Sequence, residues 1–148
     1  MNTCFEVANY FLKRQDKEAG DLMSNLKLQK LVYYAQGFHL AFEGKALFLE
    51  EISAWEHGPV CFDLWKKYRK HKSAGIPIPY DVDALSCFTK KTREILDEVY
   101  RCYGQFSAWK LRNLTHEDSP WLAAYKNGGS VISQESMETY FKTLIILA

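Results

Sequence analysis

Residues 24–43, SNLKLQKLVYYAQGFHLAFE, decide how this chain folds. Leu28, Leu31, Val32, Tyr33, Tyr34, Ala35, Phe38, Leu40 and Phe42 cover most of a helical wheel. A helix on the outside of a small protein shows one apolar stripe and one wet face. This one is apolar nearly all round, so it is expected to be a central helix enclosed by the rest of the molecule. Ser24 can cap its start and Gly44 can end it. Gln29, Gln36, His39 and Glu43 follow spacings of seven, three and four, which place them on one stripe. Lys27 and Lys30 make a second short edge. A polar seam on a buried helix either supports a hydrogen-bond network or faces a partner.

Outward toward the N-terminus, Thr3-x-x-Glu6 is a capping-box pattern ahead of Phe5, Ala8, Phe11 and Leu12, which predicts a helix over residues 3–15. Residues 14–21 are a polar connection. Toward the C-terminus, residues 47–55, LFLEEISAW, lose the helical period and predict one or two short strands or a small β-hairpin. His57-Gly58-Pro59 ends that segment, and Pro59 suits the first position of a helix reaching His71, packed through Val60, Leu64 and Tyr68. Pro77 and Pro79 make residues 73–83 a loop. Further helices are expected after Thr89, Ser107, Ser119-Pro120 and Ser133 as caps, with Gly104 and Asn127-Gly128-Gly129 as stops. Val131-Ile132 is a candidate strand. The fold class is mainly α: one compact helical domain over residues 1–148.

Composition sets limits on function. Formal net charge is +1, so there is no general field for nucleic acid or an anionic membrane. Lys66, Lys67, Arg69, Lys70 and Lys72 form one dense basic run. It reads either as a nucleic-acid patch with Tyr68 as a stacking residue or as the solvated end of a helix. Cys4, Cys61, Cys87 and Cys102 include no C-x-x-C pair, and no secretory signal is read, so reduced thiols and a cytoplasmic location are expected. No apolar run approaches the roughly 20 residues that a membrane helix needs. His39, His57, His71 and His116 lack metal-ligand spacing, although a fold could gather Cys61, His57 and His116. No phosphate loop or nucleophile elbow is present. No metal, cofactor or enzymatic activity is expected. His57 and His116 sit at helix-entry loops beside Trp55 and Trp121, where an imidazole can fix a turn by bonding a loop carbonyl.

Three blocks carry a family resemblance. They are residues 25–31, NLKLQKL, followed by YYAQG and His39-Leu40; residues 54–60, AWEHGPV; and Leu114-Thr115-His116 followed by Pro120-Trp121. In this order and spacing the chain resembles the Panacea antitoxin domain, the phage-associated GepA/SocA-like family. Residues 8–12 and Tyr140-Phe141 also fit. The resemblance implies a mainly helical antitoxin of prophages and bacteria, encoded beside a protein toxin that it binds and neutralises. Carried onto this chain, the motif residues are Lys27, Leu28, Gln29, Lys30 and Tyr34; Trp55, His57, Gly58, Pro59 and Val60; and Thr115, His116, Pro120 and Trp121. Ser119 departs from the acidic residue frequent before Pro-Trp, and either type can cap a helix. With residues 1–148 read as one such domain, the DNA-binding fusion of some members is not expected. The alternative is a nucleic-acid-binding accessory protein using the basic run. If the motif builds the scaffold, toxin choice would fall to the edge at 66–72 and the loop at 73–83.

Overall fold

The computed structural model describes residues 1–15 and 23–146. Most of the expected connection at 14–21 lies outside the described residues. Helix α1 (Cys4–Leu12) begins at a capping box: the Thr3 hydroxyl accepts from the Glu6 amide at 3.1 Å, and the Glu6 carboxylate accepts from the Thr3 amide at 2.9 Å. Helix α2 (Asn25–Glu43) is the centre of the molecule, with 15 of its 19 residues buried. The Ser24 hydroxyl accepts from the Lys27 amide, and Gly44 closes the helix in the left-handed region at φ 71°. The enclosure opens at the last turn, where Phe42 is 57% exposed.

Helix α7 (Gln134–Ile146) makes the most extensive contact with α2. Gly37 is what lets it approach. A Cβ there would sit 2.2 Å from Cε2 of the Phe141 ring. Helices α3 (Phe62–Tyr68), α4 (Lys90–Tyr103) and α5 (Ala108–Thr115) pack on α2 as well, and α6 (Ser119–Lys126) bridges α7 and the sheet. Thr89, Ser107 and Ser133 accept from the amides of Thr92, Lys110 and Ser136, as their sequence positions predict. One apolar core runs from Cys4 to Phe141. No described helix is long and apolar enough to cross a membrane.

The β element differs from the expectation at its second half. Strands β1 (Ile52–Trp55) and β2 (Gly58–Cys61) pair antiparallel, with Ala54 opposite Pro59. Residues 47–51 are irregular, and Leu47 and Phe48 are buried there by hydrogen bonds to Gln36. Pro59 and Val60 are therefore strand residues, and the helix starts only at Phe62. Two features make this possible. Gly58 takes φ 111°, which a hairpin can use after its turn and which other residues rarely adopt. Proline is tolerated at a sheet edge where no amide is required. Val131 contributes one isolated bridge to Ser53, while the amides of Ala54 and Ile132 bond Ser130 and Ile52 carbonyls along the outer edge of β1. Ser119, expected as a cap, is the first residue of α6; Asp118 holds the N-cap position without a side-chain cap bond.

Candidate functional site

The three sequence blocks meet around the hairpin. From α2, the Gln29 side-chain carbonyl accepts from the Cys61 amide at 2.9 Å, and its NH2 donates to Asn25 at 3.0 Å. From the next residue of α2, Lys30 Nζ donates to the Pro59 carbonyl at 3.1 Å. Lys30 is wholly buried, and burial, aided by the charge of Arg112, lowers its pKa to about 7. From α6, Trp121 Nε1 donates to the Trp55 carbonyl at 2.9 Å. Thr115 and Lys30 crowd Gly58 so closely that a Cβ there would lie 2.8 Å from Thr115 Oγ1 and 2.6 Å from Lys30 Cε. Leu28 is core, and Pro120 is buried at the start of α6. Lys27 donates to the Gly104 carbonyl at 2.6 Å, which ties α2 to the end of α4.

The remaining polar seam is consumed in the same way. Gln36 bonds the backbone of Leu47 and Phe48, and His39 Nδ1 lies 2.8 Å from the Lys45 carbonyl. Tyr34 stacks on Tyr103 with centroids 4.1 Å apart. Asp118 had no sequence-level role beyond standing next to Glu117. Its carboxylate turns inward and accepts from Tyr33 at 3.1 Å and Tyr140 at 2.7 Å, joining α2, α6 and α7. Burial raises its pKa to about 6 despite those two donors. Its side chain makes no cap bond at the start of α6, so no local pattern marked this inward role.

The two loop imidazoles are held differently. His116 stacks on Trp121 at 4.2 Å and bonds the Glu56 backbone; its Nε2 is buried without a hydrogen-bond partner. Burial first, and then Arg112, lower its pKa. His57 is exposed at the hairpin tip, where its Nδ1 accepts from Arg112 Nε at 3.1 Å. Cys61 is buried and faces Cys4, not an imidazole. Among the described residues no group of three His, Cys, Asp or Glu side chains is placed to hold a metal ion.

The outer side of the hairpin is open and aromatic. A groove of 690 Å³ is lined by Asn25, Gln29, Trp55, His57, Val60, Trp65 and Arg69, among others. Trp55 and Trp65 meet edge to face at 5.3 Å, and Phe62 stacks on Trp65. Sequence reasoning left Phe62, Trp65 and Trp109 unassigned and passed over Arg112, because surface aromatics carry no periodic signal. The basic run does not form one face. Arg69 and Lys72 line this groove and Lys66 leans on Phe62, whereas Lys67 lies over Phe5 and Tyr68; Lys70 is exposed. A second groove, of 680 Å³, lies between α2, α4 and α7 and includes Phe38, Phe42, Ile95 and Leu144.

A sequence model of the family described as "Antitoxin SocA-like, Panacea domain" matches residues 28–122, well over half of the chain. The match spans α2 to the first half of α6 and so includes the hairpin; α1 and α7 lie outside it. No curated protein and no solved structure matches.

Proposed function

The chain belongs to the SocA-like Panacea antitoxin family, and from that premise we propose that it neutralises a toxin encoded by a neighbouring gene through direct protein–protein binding. One observation supports direct binding most. The family blocks are occupied in fixing the hairpin from inside, and the side chains left outside are tryptophan, phenylalanine and arginine, the types that dominate binding energy at interfaces. In this reading the protein is a binding module and not an enzyme. His57 and His116 serve the hairpin tip, and the complex forms in the cytoplasm of a bacterium or lysogen.

The test is co-expression. The adjacent gene, induced alone, is expected to arrest growth. Induced with this chain, growth is restored and the two products co-purify. A toxic neighbour that arrests growth equally in the presence of this protein refutes the proposal. The alternative of nucleic-acid binding through residues 66–72 is weaker, because Lys67 and Arg69 point to different neighbours and the run does not track one backbone.

A further inference from the structure

Two arginines flank the hairpin tip, and each lies on a tryptophan. Arg69 sits 5.7 Å from the Trp65 ring and Arg112 sits 4.3 Å from the Trp109 ring. Neither has a carboxylate within ion-pair distance among the described residues, although the chain has 18 Asp and Glu residues. His57 joins the two halves, since it lines the groove that contains Arg69 and accepts from Arg112. A guanidinium stacked on an aromatic ring has already lost much of its freedom; Arg69 presents a planar fork matched to a carboxylate, whereas Arg112, whose Nε donates to His57 and Nη1 to Asn113 at 3.1 Å, offers its charge and Nη2. The groove of 690 Å³, walled by Trp55, Trp65 and Val60, has Arg69 in its lining and Arg112 bonded to His57 at its rim.

Resting on the antitoxin reading above, we infer that this band receives an acidic segment of the partner protein, whose carboxylates pair with Arg69 and Arg112 while an apolar side chain enters the groove. The surrounding charges favour a protein over a nucleic acid. Glu56, beside His57 at the hairpin tip, also lines the groove, and Asp63 engages Lys66 at 3.9 Å. A continuous phosphate backbone would meet those carboxylates repeatedly. A peptide can place its few acidic groups at Arg69 and Arg112 and an uncharged stretch over Glu56.

The probe is a displayed random-peptide library selected on the intact protein, with a poly-thymidine oligonucleotide as competitor. The expected winners carry Asp or Glu beside Phe, Trp or Leu, and they bind Arg69→Glu and Arg112→Glu at least about tenfold more weakly. Arg69→Lys keeps the charge and loses the fork, so it weakens binding too. Lys126→Glu, at the far end of α6, leaves binding unchanged. Arg69 is exposed, so its variant folds normally and carries the test even if Arg112→Glu, which loses the His57 bond, does not.

Neutral or basic winners, no winners, or acidic winners indifferent to both arginines overturn the inference. So does an oligonucleotide that displaces them at equal concentration. The co-expression assay separates this failure from that of the antitoxin reading. Rescue by wild type and by the Arg69→Glu variant alike sinks the acidic-segment inference alone. Absent rescue with intact peptide selection sinks the antitoxin reading alone.

Discussion

Gly58→Ala is the sharpest test of how the hairpin is held. The residue has φ 111°, and holding an L-residue in a sparsely populated region costs about 1–3 kcal/mol. The new methyl would also stand 2.6 Å from Lys30 Cε and 2.8 Å from Thr115 Oγ1. Lys30 cannot swing aside freely, because it is buried and its ammonium is bound to the Pro59 carbonyl. Overpacking of this kind adds about 1–3 kcal/mol. The sum, about 2–6 kcal/mol, is a large share of the roughly 5–15 kcal/mol that keeps a domain folded. Gly44→Ala is the matched control: φ is 71° and nothing lies within 4 Å of its Cβ position, so it pays only for the backbone, about 1 kcal/mol. Urea unfolding of the three proteins measures both differences. A Gly58→Ala cost no greater than that of Gly44→Ala would refute the packing of Lys30 and Thr115 against the turn.

Leu31→Ala is expected to cost about 2–5 kcal/mol by the same assay, and Phe38→Ala less, since Leu31 is fully enclosed and Phe38 borders an open groove; equal costs would contradict that placement. Stability should rise with pH from about 7 upward, because the unfolded chain keeps the Lys30 proton toward 10.5 after the folded chain has lost it, with a slope of at most about 1.4 kcal/mol per pH unit. Lys30→Met should flatten that rise; an unchanged slope counts against a charge-averse Lys30 site. Asp118 works in the opposite sense: between 3.8 and about 6 the folded chain holds a proton that the unfolded chain has released, so stability falls as pH increases across that window. Asp118→Asn should remove the fall, as followed by thermal melts at several pH values.

Local chemistry made much of the fold readable. Thr3, Ser24, Thr89, Ser107 and Ser133 each cap within three residues of themselves, so their sequence windows contained the whole interaction. The all-round apolar pattern of α2 marked its burial for the same reason. Gly-Pro-Val at 58–60 misled because a proline before an apolar run looks like a helix start, and only the pairing with residues 52–55 makes it a strand. The turn residues Glu56 and His57 carry no Asn-Gly signature to announce a hairpin. Glu43 and Phe42 were grouped with the enclosed helix, but the chain leaves the core before reaching them. At the site, nothing local told Gln29 and Lys30, which reach across to main-chain atoms, from residues awaiting a partner. Arg69 and Arg112 became visible as a pair only when folding brought α3 and α5 to either side of His57.

Three bonds that anchor the hairpin end on main-chain atoms: the Cys61 amide, the Pro59 carbonyl and the Trp55 carbonyl. Such anchors are blind to which side chains point away from them. The tip can therefore change its outward vocabulary at position 56 without renegotiating the framework beneath, provided glycine stays at 58. An exchange there leaves the folding problem already solved.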